Sequence, residues 1–494
     1  MRCRAPVRSR VVTAAAVTAV IASTILLITT PSAQAGPTGV TPDAISTVVE
    51  QYRDAAHVPG VAVAVTQGDA IVHAGGYGRT QDGAPVTARS VMAMASVSKS
   101  FTALAVMQLV ERRQVELDQP VQRYLPEFVT SDPRSSLITV RQLLDQTSGM
   151  TDASVGQFTR TQPATLRDSV ADFRDADLAS TPGTRFAYYN PNYQVAARLV
   201  EVVAGQPFDT YLAEHVFGPL TMTDSRAIDT DKDLPPTARG HLKILGNPVP
   251  MPEPTAFGAG SGGVLSTAQD MTAWLIMQNS SERVVAGAVV SPTSLATMHR
   301  PSSPASEGYA LGWSVGQTPS GAPLIAHGGD LFTSTAYQAL LPDSGYGIAV
   351  MANTGSAYAD ASAIGDRLVA LLDGTPSKPT SDQSTTVDAA LLGLGLVALI
   401  SGTAGAVRAR RWAMKHPRRR DMLVRLPLLM APLILLVLFA PIVGALYRGR
   451  DITWMQALYT YPSFMICLVA LSAATTVVGC ARLISVARFS KSVT

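Results

Sequence analysis

Cysteine is nearly missing from this chain. There are three, Cys3, Cys467 and Cys480, and none lies between residues 36 and 387. That stretch therefore contains no disulfide and no cysteine-ligated metal, yet it is long enough to bury a core without such staples. Basic residues are also in deficit there: 22 Lys/Arg stand against 33 Asp/Glu, a net of −11. A body of that sign argues against a nucleic-acid partner. Acidic residues are scarce in the remainder, where residues 388–494 carry 3 Asp/Glu and 13 Lys/Arg, a net of +10. No internal repeat is visible, and no cluster of ligand residues asks for a metal or other cofactor.

What is present explains the uneven charge. The first residues, "MRCRAPVRSR", form a basic leader before the apolar run "VVTAAAVTAVIASTILLIT". Ala33-Gln34-Ala35 has the small-x-small pattern of a cleavage site. Residues 1–35 thus read as a secretory signal, and the apolar run is also long enough for an uncleaved anchor. Three apolar runs close the chain, at about 389–407, 426–447 and 454–480. Each is long enough for a transmembrane helix. Seven Lys/Arg lie in "RARRWAMKHPRRRD" between the first two runs, two between the second and third, and Arg482, Arg488 and Lys491 lie at the end. The positive-inside rule then puts the first loop and the tail in the cytoplasm and the body outside. The signal segment gives the same side independently. The expected protein is a multi-pass cell-membrane protein with its body on the extracytoplasmic face. A Pro/Ser/Thr-rich linker at 374–388 joins the spans to a body at 36–373.

The body mixes strands and helices. "VAVAVTQGDAIVHAGGYG" reads as a hairpin about a Gln-Gly-Asp turn, and "TAYQALLPDSGYGIAVMAN" as a second hairpin turning at Pro342-Asp343-Ser344-Gly345. "SKSFTALAVMQLVERRQVELD" is apolar almost all round, the mark of a buried helix. Strands at both ends with helices between predict an α+β domain whose terminal strands share one sheet.

Three short motifs carry chemistry. Ser96 and Lys99 form the single Ser-x-x-Lys of the chain. On a helix starting at Ser96 they share one face. A serine hydroxyl is a weak nucleophile until a base takes its proton, and a partly desolvated lysine has its pKa lowered towards that task. Alone, such a pair is equally a helix cap beside a lysine that reaches water. Tyr188-Tyr189-Asn190 is the single Tyr-x-Asn. A phenol beside an ammonium loses its proton more readily, and the Asn190 amide can bond both a lysine and a substrate carbonyl. His327-Gly328-Gly329 offers a histidine at a backbone that a substrate can approach closely.

In order and spacing, these motifs resemble the three active-site boxes of the penicillin-recognising serine hydrolases. The nearest branch contains class C β-lactamases, D-Ala-D-Ala carboxypeptidases and related esterases. "ITVRQLLDQTSGM", "PGTRFAYYN", "GAGSGGVLSTAQDMTAWL" and "YALGW" agree with it, and the likeness covers roughly residues 45–360. The resemblance implies an antiparallel sheet flanked by helices, beside a mostly helical lobe. It implies Ser96 as the acylated nucleophile, Lys99 and Tyr188 as bases, and Asn190 as their orienting partner. The N–H groups of Ser96 and Asp330 would form the oxyanion hole, and His327, Gly328 and Gly329 would line the substrate. No metal or other cofactor is implied. Two departures stand out. His327 and Gly328 replace a lysine and a hydroxyl residue that hold a substrate carboxylate in β-lactamases. Gln146 stands where relatives often carry histidine, at a position read as structural. The expectation is therefore an esterase or D-amino-acid amide hydrolase, with a small-molecule ester, a lipid ester and a cell-wall peptide or ester all open as substrates. β-Lactamase or D-Ala-D-Ala carboxypeptidase activity is the alternative, and a non-catalytic binding or sensing module of the same fold is the alternative of another class. The sequence leaves the oligomeric state open.

Overall fold

The computed structural model describes residues 40–280, 289–355, 357–377, 383–415, 419–446 and 451–491. The signal segment at 1–35 lies outside the described residues.

Helix α1 (Pro42–Ala55) starts where Thr41 Oγ1 accepts from Ala44 N and Pro42 needs no donor of its own. The hairpin of β1 (Gly60–Gln67) and β2 (Ala70–Gly78) follows, as the sequence predicts. Four further strands, β3 (Ser314–Gln317), β4 (Pro323–Asp330), β5 (Thr335–Leu341) and β6 (Tyr346–Ala352), complete a six-stranded antiparallel sheet of order β2-β1-β6-β5-β4-β3. The pairing of β1 with β6 joins the two ends of the body, with Val63 opposite Val350.

The Val-Ala-Val-Ala-Val alternation of β1 explains the layering. Val61, Val63 and Val65 face one core with Ile45, Val49, Ile364 and Leu368. Those helical residues come from α1 and the C-terminal helix of the body at Asp360–Leu372. Ala62 and Ala64 face the other core, where small side chains let a helix lie close. Helix α2 (Ser98–Glu111) sits in this second core, buried from Ser98 to Leu109. It packs with α3 (Asn190–Ala204), α4 (Ala268–Gln278) and shorter helices that form the second lobe. Phe101 stacks on Trp274 with ring centroids 3.8 Å apart. Trp274 Nε1 donates to Gln338 Oε1 at 3.0 Å, and Gln338 Nε2 donates to Ser100 Oγ at 2.9 Å. A buried polar bridge thus fixes α2 and α4 against β5.

After the body's last helix, α5 (Asp360–Leu372), the chain enters α6 (Gln383–Val407). This helix begins inside the stretch read as linker. Asp388 secures its start, accepting from Tyr358 Oη at 2.7 Å and Leu245 N at 3.2 Å. Among the described residues, two helices are long and apolar enough to cross a membrane, Thr385–Val407 and Pro462–Arg488. The expected middle span is instead a bent pair, α7 (Arg419–Val437) and α8 (Phe439–Leu446), meeting at 68°. Pro441 lies in the first turn of α8 and has no N–H for the carbonyl of Val437, where α7 ends. The expected third span also divides, into α9 (Trp454–Thr460) and α10 (Pro462–Lys491). Pro462 stands at the first position of α10, where proline starts a helix more readily than it continues one.

Candidate active site

Ser96 does not open the α-helix as the sequence reading has it. It lies in a single 3-10 turn, Ala95–Val97, and α2 begins at Ser98. Ala95 is held at φ 47°, a left-handed conformation that costs a non-glycine residue about 1–3 kcal/mol. The tight turn brings the chain from the short strand Met92–Ala93 into α2 and leaves Ser96 at the cavity surface.

Lys99 is wholly buried one turn further on. Its Nζ lies 3.0 Å from Ser96 Oγ, 2.8 Å from Asn190 Oδ1 and 2.8 Å from the Ser261 carbonyl. All three partners are uncharged oxygens, so no carboxylate offsets the loss of water. Burial accordingly holds the Lys99 ammonium well below its usual pKa. A neutral amine has two N–H donors and one lone pair. Lys99 Nζ donates to all three oxygens as an ammonium; once neutral, with its two donors kept on Asn190 and Ser261, it would turn its lone pair to the Ser96 hydroxyl.

Asn190 owes its place to the start of α3, where Pro191 occupies the first turn. Gln146 holds the approach to that helix. Its Oε1 accepts from Tyr189 N at 3.1 Å and Asn192 Nδ2 at 2.6 Å, and its carbonyl accepts from Ala187 N. Its role is structural, in keeping with the sequence reading. Tyr188 is 39 % exposed and faces the cavity, with Lys99 Nζ 4.8 Å from its ring centroid.

His327 and Gly328 line the opposite wall with Asp330. His327 Nε2 bonds the Tyr309 hydroxyl at 2.9 Å. Burial, with Lys99 nearby, pushes its pKa down to about 3. The imidazole is therefore neutral at physiological pH and offers no cation to a substrate carboxylate. Gly329 is required sterically. A Cβ there would lie 2.5 Å from the Met94 carbonyl and 3.1 Å from Ser96 N. The structure thus gathers Ser96, Lys99, Tyr188, Asn190, His327, Gly328, Gly329 and Asp330 around one cleft.

Two participants escaped the sequence reading. Tyr309 anchors His327, and its signal was the "YALGW" phrase, noted above without a role. The Ser261 carbonyl holds Lys99 through the backbone, which no side-chain pattern announces. Among the described residues no group of His, Cys, Asp and Glu could hold a metal ion.

An antiparallel sheet beside a helical lobe, with a serine–lysine pair buried between them, defines the serine β-lactamase/transpeptidase fold. The β-lactamase family profile matches residues 45–371, and the chain belongs to that family of serine hydrolases. It is 32 % identical over 319 residues to penicillin-binding protein 4 of Amycolatopsis lactamdurans, covering 61 % of this chain and 82 % of that one. It is 26 % identical over 323 residues to protein flp of Staphylococcus aureus, covering 64 % of this chain and 63 % of that one, so the match spans less than two thirds of that relative's length. The octameric penicillin-binding protein homologue from Pyrococcus abyssi superposes with a TM-score of 0.58 at 26 % identity, over 68 % of this chain and 78 % of that one.

Proposed function

We propose that the protein is a membrane-anchored serine hydrolase that acts outside the cell through an acyl-enzyme on Ser96, as an esterase or D-amino-acid amide hydrolase. The observation that carries this reading is the buried, carboxylate-free Lys99 with its Nζ 3.0 Å from Ser96 Oγ. Neutral Lys99 takes the Ser96 proton as Oγ attacks the substrate carbonyl. The N–H groups of Ser96 and Asp330 receive the charge on the tetrahedral oxygen, an arrangement worth several kcal/mol of barrier lowering (about 3–4 per donor). Tyr188 gives its proton to the leaving alcohol or amine as that bond breaks, and is reprotonated from Lys99. Water then attacks acyl-Ser96, losing its proton to the same bases, which return one to Ser96 Oγ as the acyl–oxygen bond breaks and the acid leaves. Asn190 and the Ser261 carbonyl orient Lys99 throughout.

Neutral His327 favours esters and amides over substrates with a free carboxylate, and so over penicillins and D-Ala-D-Ala peptides. The two apolar C-terminal helices support membrane anchoring. The body bonds both Asp388 at the start of α6 and Asp451 before α9, which supports a second loop on the body's side, as the charge pattern suggests. The test is ester turnover by the full chain in detergent with p-nitrophenyl acetate. Turnover lost in Ser96→Ala supports the reading. Equal turnover in both proteins overturns it, and no turnover by either leaves a binding module as the better account.

A further inference from the structure

The cleft does not end at the body. One cavity of about 1080 Å³ runs from Ser96, Tyr188 and Asn190 to residues of the membrane helices. That exceeds the range of about 300–1,000 Å³ usual for small-molecule sites. Its far wall includes the aliphatic and aromatic side chains of Val387 and Leu391 of α6, Phe439 and Val443 of α8, and Phe464 of α10, with the polar Asp451 and Gln456 beside them. Val387, Leu391 and Phe464 lie near the ends of the two span helices that meet the body.

The junction is built rather than incidental. Asp451, just before α9, accepts from the backbone N–H of Phe158 at 2.6 Å and of Thr159 at 2.8 Å. Phe158, Phe332 and Tyr459 form an edge-to-face ladder with centroids 6.0 Å and 5.9 Å apart. Phe158 and Phe332 line the cavity, and Tyr459 belongs to α9. The bend between α7 and α8 contributes to this wall, because α8 carries Phe439 and Val443. Anchoring alone does not require an apolar wall shared with the nucleophile.

We infer that the substrate is an amphiphile: an ester or amide whose long aliphatic chain lies among α6, α8 and α10 while its carbonyl reaches Ser96. The membrane helices are then part of the substrate site, and the substrate enters from the lipid side. This inference rests on the serine hydrolase reading above.

The test uses the full chain in phosphatidylcholine nanodiscs and two ester series of two to twelve carbons. In p-nitrophenyl alkanoates the chain is on the acyl side. In alkyl esters of N-acetyl-alanine it is on the leaving side. We expect kcat/KM to rise about a hundredfold from the shortest to the longest member of one series, a part of what burial of ten methylenes would give. The series that rises tells which side of the scissile bond carries the tail. The double variant Leu391→Gln, Val443→Gln should flatten that rise. Ser96-dependent acetate turnover without a rise in either series would overturn the inference and leave the hydrolase reading intact. A rise that persists unchanged in the double variant would overturn it too, because partition into lipid would then explain the gain. Absence of turnover for every ester would remove both.

Discussion

Lys99 Nζ lies 3.0 Å from Ser96 Oγ, and none of the three groups it bonds is a carboxylate. This relationship suits the lysine to the base role in the proposed reaction. Desolvation without a counter-charge destabilises the ammonium, so the fraction of neutral amine at a given pH exceeds that of an exposed lysine.

The pH dependence follows from that sign. Activity needs neutral Lys99, and its pKa is lowered, so kcat/KM should rise with pH and level off well below the usual lysine range near 10.4. His327 is already neutral above about 3 and should add no limb near 6.5. Lys99→Met should lower kcat/KM by about 10²–10⁴-fold, the usual range for a general base. Lys99→Arg should not rescue it, because a guanidinium does not give up its proton. Steady-state profiles from pH 5 to 10 check all three.

Substrate charge is the second prediction. With an uncharged His327 bonded to Tyr309, a carboxylate beside the scissile bond meets no cation. A D-alanyl peptide ester should be cleaved faster than its analogue with a free carboxylate. Competition between the two, read by mass spectrometry, decides it. Preference for the free acid would mean that another group binds the carboxylate.

The two glycines after His327 should behave differently. Gly329→Ala places a Cβ 2.5 Å from the Met94 carbonyl and should abolish turnover. At Gly328 the nearest atom to an added Cβ is Ser362 Oγ at 3.4 Å, so Gly328→Ala should fold and stay active. Activity and melting temperature of both variants give the comparison.

Stability has its own test. Lys243 Nζ and Asp360 pair at 2.6 Å with both side chains 1 % exposed. Tyr52 Oη and Thr354 Oγ1 also donate to Asp360, so the carboxylate is satisfied only as part of this network. Lys243→Met removes the one cation in the pair and should cost about 3–5 kcal/mol of body stability. Denaturant unfolding measures it, and a loss under 1 kcal/mol would show that the hydrogen bonds suffice.

Much of this was legible in the sequence because it is written in side chains. The alternation in β1 and the all-round apolar α2 each have one simple structural solution. Other features are written in the backbone or in contacts between distant segments. The Ser261 carbonyl on Lys99 and the left-handed Ala95 have no residue signature. The prolines at 441 and 462 were visible, but hydropathy alone treats a bent or divided run as continuous. The shared wall between the cleft and the C-terminal apolar helices depends on tertiary docking through Asp451, a residue that a charge count reads only as a loop anion.

The most direct test of the central claim is intact-mass spectrometry of the full chain in detergent after reaction with a fluorophosphonate, with peptide mapping of the adduct. The account predicts one stoichiometric adduct on Ser96, lost in Ser96→Ala and slowed in Lys99→Met. An unmodified chain, or an adduct on another residue that survives Ser96→Ala, would contradict it.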